Sequence, residues 1–118
     1  MREAVFLGSS KDDLRAFPRE ARREAGYAIE LAQDGAKHPD AVPMKGFGGA
    51  SVIEVRISED GDAYRAVYTV AFAEVVYVLH CFQKKSKSGI ATPQRDLDLI
   101  AQRLKLARAD YERHYKGN

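Results

Sequence analysis

The sequence predicts an α+β fold: one domain over residues 1–118, with a mainly antiparallel sheet of about four strands, two helices near the N-terminus and a long C-terminal helix, in the order β-α-α-β-β-β-α. Three observations carry that expectation. Apolar residues recur at steps of three and four between Ala21 and Ala32, and again between Leu97 and Tyr111. From Val52 the period drops to two, with Ile53, Val55 and Ile57 on one face and Glu54, Arg56 and Ser58 on the other. Asp60-Gly61 then stands between two strand-like runs, a strong short-range signal for a tight hairpin.

Taken in order, residues 3–7 read as a short strand and Gly8-Ser9-Ser10 as its exit. Ser10 and Asp13 are spaced as a capping box for a helical turn ending near Phe17. Pro18 suits the first position of a second helix, whose stripe of Ala21, Ala25, Ala28, Ile29 and Ala32 is small enough for close packing, and Asp34-Gly35 closes it. Residues 36–50, with Pro39, Pro43 and three glycines, read as a loop whose conspicuous cation is Lys45. After the hairpin, residues 64–70 return as its second strand, and residues 75–82 form the near-continuous apolar run of a strand covered on both faces. Thr92 is placed as a cap and Pro93 as the opening of the last helix, with Leu97, Ile100, Ala101, Leu104, Ala107 and Tyr111 on its core stripe and a basic outer face solvated or touching a partner.

The size and composition restrict the function classes. A chain of 118 residues, 45% hydrophobic, buries enough surface for a core without disulfide or metal staples. The lone cysteine, Cys81, makes no internal bridge and no zinc site, and a reducing, cytoplasmic setting follows as the expectation. No signal peptide and no membrane span are expected, because no apolar stretch is long enough. The net charge of +2 is unevenly spread: residues 1–80 carry 10 basic and 13 acidic side chains, and residues 81–118 carry 9 and 4. That bias in the last third favours phosphate-bearing partners, although a solvated basic helix looks the same.

The hairpin gives the most useful chemical inference. A two-residue turn at Asp60-Gly61 sets Arg56 directly opposite Arg65, and like charges across a ladder are destabilising. Either an anionic ligand compensates, or Glu54, with Glu59 or Asp60 near the turn, neutralises the pair at the surface. A second cationic feature is Phe82-Gln83-Lys84-Lys85-Ser86-Lys87, where an apolar strand ends in ammonium groups that suit a phosphate backbone or, equally, a solvated loop. Gly46-Phe47-Gly48-Gly49 lacks the Gly-Lys-Ser/Thr of a phosphate loop and reads as a turn. His38, His80 and His114 lack metal-ligand spacing, so no metal and no other cofactor is expected. His80, in an apolar strand, reads first as a hydrogen-bonded core residue and second as an acid/base group, and its neighbour Cys81 points to the opposite face of the strand.

The segments Val5-Phe6-Leu7-Gly8-Ser9-Ser10, Asp13-Leu14-Arg15-Ala16-Phe17-Pro18, Pro43-Met44-Lys45-Gly46-Phe47-Gly48 and Val52-Ile53-Glu54-Val55-Arg56-Ile57 continue into Tyr64-Arg65-Ala66-Val67-Tyr68, Val76-Tyr77-Val78-Leu79-His80, Phe82-Gln83-Lys84-Lys85-Ser86 and Ala91-Thr92-Pro93. In this order and spacing they resemble the RelE/ParE superfamily of type II toxins, most closely its phage-derived HigB-like branch. The resemblance implies a RelE-like twisted sheet with a concave basic surface. It also implies a toxin that cleaves mRNA on the translating ribosome without a metal and is silenced by a cognate antitoxin, often a HigA-like helix-turn-helix protein. In that chemistry the RNA 2′-hydroxyl attacks the adjacent phosphate, which calls for a proton acceptor, a cation beside the developing charge and a proton donor for the leaving oxygen.

Matched by motif, Arg65, Arg56 and Lys84 are the implied catalytic cations, Glu54 and His80 the candidate acid/base groups, and Lys45, Lys85 and Lys87 the candidate RNA-binding residues. The chain departs from RelE in carrying Glu54 and Arg56 where RelE has two alternating lysines, and no motif aligns Tyr111 or Tyr115 with the family's C-terminal catalytic tyrosine. A salt bridge from Glu54 to Arg56 or Arg65 would lower the carboxyl pKa and oppose a role as base. The alternatives from other classes are a non-enzymatic inhibitor of DNA gyrase, as in the ParE branch, and an inactive remnant that still binds its antitoxin.

Overall fold

The computed structural model describes residues 1–84 and 92–115. Its elements are β1 (Glu3–Phe6), α1 (Ser10–Arg15), α2 (Arg19–Gln33), β2 (Ala41–Pro43), β3 (Val52–Glu59), β4 (Asp62–Thr69), β5 (Val75–Lys84) and α3 (Gln94–His114). The α+β class and the element order match the expectation, but the sheet has five strands, in the order β1-β5-β4-β3-β2. β1 runs parallel to β5, and the other pairs are antiparallel. The additional strand, β2, lies within the segment read as loop. Three residues bordered by prolines carry no periodic signal, and an edge strand tolerates Pro43 because its outer side needs no ladder donor.

The hairpin turn forms as its sequence dictates. Asp60 and Gly61 adopt φ of 51° and 84°, the left-handed pair of a type I′ turn, and Arg56 faces Arg65 across the ladder. One irregularity interrupts the next pair: Val67 is opposite His80 and Tyr68 opposite Val78, leaving Leu79 as an extra residue in β5. The bulge resets the alternation, so that both Leu79 and His80 belong to the face covered by α3, while Cys81 returns to the other face beside Ala66.

The sheet separates two cores. On one face the alanine stripe of α2 packs with Leu14 and Phe17 against Ile53, Val55, Ala66, Tyr68 and Val78. A helix lined by methyl groups sits close to the sheet, and its end is fixed by Gly35 at φ 81°, with Gly35 N–H donating to Ala32 O at 3.0 Å and Ala36 N–H to Leu31 O at 2.8 Å. On the other face Ile100 and Ala107 of α3 cover Val52, Val67, Tyr77 and Leu79.

Two local expectations are corrected. Ser10 is the first residue of α1 and fully buried, donating to Val78 O at 3.3 Å, while Ser9 occupies the cap position and donates to Asp13 at 2.7 Å; the reciprocal capping box is not made. The basic outer face expected of α3 does not include Arg103, which turns inward with Ile100 and Ala107. Its guanidinium donates to Leu79 O at 2.9 Å and to Ser9 Oγ at 3.1 Å, satisfying the carbonyl exposed at the bulge. The chain makes room for it at Gly8, where φ is +54° and a Cβ would lie 2.6 Å from the guanidinium.

The far end of α3 is fastened by tyrosines. Tyr77 donates to Asp110 at 2.6 Å, Tyr111 to Glu74 and Tyr115 to Glu3. Burial and the Asp110 hydrogen bond push the Tyr77 phenol up, the bond to Glu3 together with burial pushes Tyr115 up to about 12, and burial pushes Tyr68 up to about 12. Among the described residues, no helix is long and apolar enough to cross a membrane.

Gly8→Ala is expected to lower the free energy of unfolding by about 1–3 kcal/mol, from left-handed strain and the clash with Arg103, as a fall in the urea midpoint. The tyrosines set an alkaline limit. A phenol whose folded pKa is raised contributes stability that is fully present below its unfolded value near 10 and is lost as pH rises from there toward the folded value. Urea midpoints should therefore fall between about pH 10 and 12, and Tyr77→Phe should make that fall shallower.

Candidate functional site

β3, β4 and β5 bring four sequence-predicted site residues to one face of the sheet. Glu54 and Arg56 are two apart on β3, Arg65 is opposite Arg56 on β4, and Lys84 lies at the end of β5, paired with Ala63 and therefore diagonal to Arg65. Glu54 stands among the cations, with a side chain only 6% exposed. Its Oε1 accepts from Arg56 Nε at 3.1 Å, and its Oε2 lies 3.7 Å from Arg65 Nε and accepts from Thr92 Oγ1 at 3.4 Å. The neutralisation of the facing arginines is thus made by Glu54 alone of the three carboxylates considered, and inside the protein rather than at its surface. The alternating pattern assigned Glu54 to the outer face of β3, but α3 begins beside that face and encloses it.

The three cations differ in setting. Arg56 has 57% of its side chain exposed, whereas Arg65 has 13% and is oriented by a hydrogen bond from Nη1 to Tyr64 O at 3.0 Å. Burial lowers the Arg65 pKa, with Glu54 opposing and Arg56 adding to the shift, and the guanidinium remains a cation at neutral pH. Lys84 is buried beside them; desolvation and then the Arg65 charge lower its ammonium pKa, against the pull of Glu54. A lysine shifted this way gives up and regains a proton more readily near neutrality than an exposed one. Among the described residues the cluster has one carboxylate against three cations, an excess suited to a phosphodiester.

The other candidates fall elsewhere. His80 is 6% exposed, bonds Asp96 Oδ1 through Nε2 at 2.8 Å and stacks on Phe82 with ring centroids 4.6 Å apart, so it ties β5 to the first turn of α3. Its Nδ1 is buried without a hydrogen-bond partner among the described residues. Lys45 is exposed in the turn after β2, next to Met44, whose N–H bonds Val52 O. It therefore follows the opposite end of β3 from Arg56, four residues or about 13 Å along the strand. Lys85 and Lys87 lie outside the described residues. Thr92 does not cap α3 as expected, since Pro93 holds the cap position and the Thr92 hydroxyl donates to Glu54; sequence reasoning missed it and Asp96 as neighbours of candidate site residues.

Among the described residues, no group of three or more His, Cys, Asp or Glu side chains is placed to hold a metal ion. A family model described as phage derived protein Gp49-like (DUF891) matches residues 12–105. That span contains Glu54, Arg56, Arg65, Lys84 and Thr92. No curated protein matches the chain.

Glu54→Gln tests the role of the enclosed carboxylate. Removing the charge leaves the arginines facing one another, and a stability loss of about 1–2 kcal/mol is expected in urea titrations, moderated by the exposure of Arg56. The same variant should bind a single-stranded RNA oligonucleotide more tightly at low salt, with a steeper salt dependence, because one more positive charge is unmasked.

Proposed function

Since this chain belongs to the Gp49-like family of phage-derived proteins, a toxin-like family of the RelE/HigB type, we propose that it is the toxin of a type II toxin–antitoxin pair: a metal-independent endoribonuclease that cuts mRNA on the translating ribosome. The observation that carries this reading is the gathering of Arg56, Arg65 and Lys84 on one sheet face around the single carboxylate of Glu54. A binder of a protein surface does not need cations converging on one point; a phosphate bearing developing charge does.

In the proposed reaction the RNA 2′-hydroxyl gives its proton to a solvent water and its oxygen bonds to the adjacent phosphorus as the bond to the 5′-oxygen breaks, leaving a cyclic phosphate and a 5′-hydroxyl. Arg65, fixed by Tyr64 O and Glu54, stabilises the charge that grows on the non-bridging oxygens. Arg56, more exposed, meets the phosphate from the solvent side. Lys84, with its lowered pKa, donates the proton that the leaving 5′-oxygen takes up. Both oxygens of Glu54 are occupied by Arg56, Arg65 and Thr92, so its role is to position the arginines rather than to act as the base. The ribosome supplies the placement of mRNA. The cognate antitoxin, a HigA-like helix-turn-helix protein in this reading, silences the toxin.

The test is tightly induced expression in a bacterial host with the 5′ ends of cellular mRNAs mapped before and after induction. New ends in phase with codons are expected, and Arg65→Ala should reduce them about 10²–10³-fold while circular dichroism and antitoxin binding stay unchanged. Growth arrest without new ends would overturn the nuclease reading in favour of a gyrase-type target.

A further inference from the structure

β5 is ten residues long, and its neighbour β1 covers only part of it. β1 pairs with Val75 to Val78 and stops. Past that point the Val78 carbonyl accepts from Leu7 N–H and Ser10 Oγ, and the Leu79 carbonyl from Arg103. Among the described residues, no hydrogen bond reaches the backbone of residues 80–84 from that side. An antiparallel ladder turns the N–H and C=O of alternate residues outward, so about two or three of these five residues present groups along the edge that no described residue pairs.

This edge is not flush with the surface. It forms the floor of an open groove of about 1000 Å³, walled by α1 on one side and by the first turns of α3 on the other. Phe17, Phe82 and Leu99 give the groove apolar surface, and among the described residues its charged lining is Asp13, Asp96 and Asp98 against Arg95. An acidic groove on a chain of net charge +2 selects by sign. It repels a nucleic-acid backbone, and it repels the same acidic groove of a second copy, whose own walls would also block an edge-to-edge approach.

We propose that this groove binds an extended cationic peptide of a protein partner, which joins the sheet as a sixth strand beside β5. Backbone groups of the peptide complete the ladder, lysine or arginine side chains face Asp13 and Asp98, and intervening apolar side chains meet Phe17 and Leu99. Phe82 is the cross-strand neighbour of Arg65, so the bound strand lies next to the cation cluster without filling it. The inference rests on the fold and groove, and it stands or falls independently of the nuclease reading.

A random dodecapeptide library displayed on phage, selected against the purified full-length chain, supplies the probe. Selected sequences should alternate Lys or Arg with β-branched or aromatic residues. A synthetic copy of the best should slow amide hydrogen exchange at residues 80–84 about tenfold or more. A proline in the middle of that peptide should abolish binding. The double variant Asp13→Asn with Asp98→Asn, which keeps acceptor oxygens for Ser9 and Gln94, should weaken binding about tenfold at low salt. Selection of peptides without cationic alternation, protection confined to other amides, or equal protection of residues 80–84 by an oligouridylate would each overturn the proposal. So would a dimer, found by sedimentation, that protects the same amides.

Discussion

A two-residue turn with both φ angles positive leaves the β3–β4 hairpin only one register, and much of the molecule's chemistry descends from that constraint. Because Asp60 and Gly61 fix the ladder, Arg56 and Arg65 are held opposite one another whatever their mutual repulsion. Glu54, two residues from Arg56 on the same face, supplies the opposite charge. A carboxylate so enclosed needs its oxygens satisfied, and a further donor is Thr92, just before α3. The position at which the last helix starts is thus coupled, through one side chain, to a turn some thirty residues earlier.

The bulge at Leu79 has comparable reach on the other side of the sheet. By adding one residue it directs both Leu79 and His80 to the α3 face and exposes a carbonyl that Arg103 then occupies. His80 fastens the start of α3 through Asp96, Arg103 its middle, and the tyrosine–carboxylate bonds its end. Few apolar side chains of α3 are fully buried, so these polar attachments determine where it lies.

How much of this was legible in the sequence follows from which signals are periodic. The hairpin, its register and the facing arginines were readable because alternation and an Asp-Gly turn act within ten residues. The alanine stripe and Gly35 likewise announced α2 and its end. β2 was not readable, since three residues cannot establish a period and its prolines signal a loop. The bulge leaves no compositional mark at all. At the site, residue identities came through but not their burial: Glu54 sat on the polar side of an alternating strand, and only the path of α3 shows that this side is enclosed. Arg103 illustrates the converse, a basic residue on a basic helix whose partners are a backbone carbonyl and a serine distant in sequence.

The single thiol turns this architecture into something that can be timed. Cys81 is 1% exposed in the core that α1 and α2 cover, and burial pushes its pKa up to about 12. In the closed molecule the neutral thiol therefore dominates at neutral pH, and a buried thiol of that kind is inert. A thiol reagent therefore labels the protein chiefly when β5 and its covering helices part, and the labelling rate counts those excursions with no engineered reporter. The residue that is chemically inert in the native state is, for that reason, a clock for departures from it.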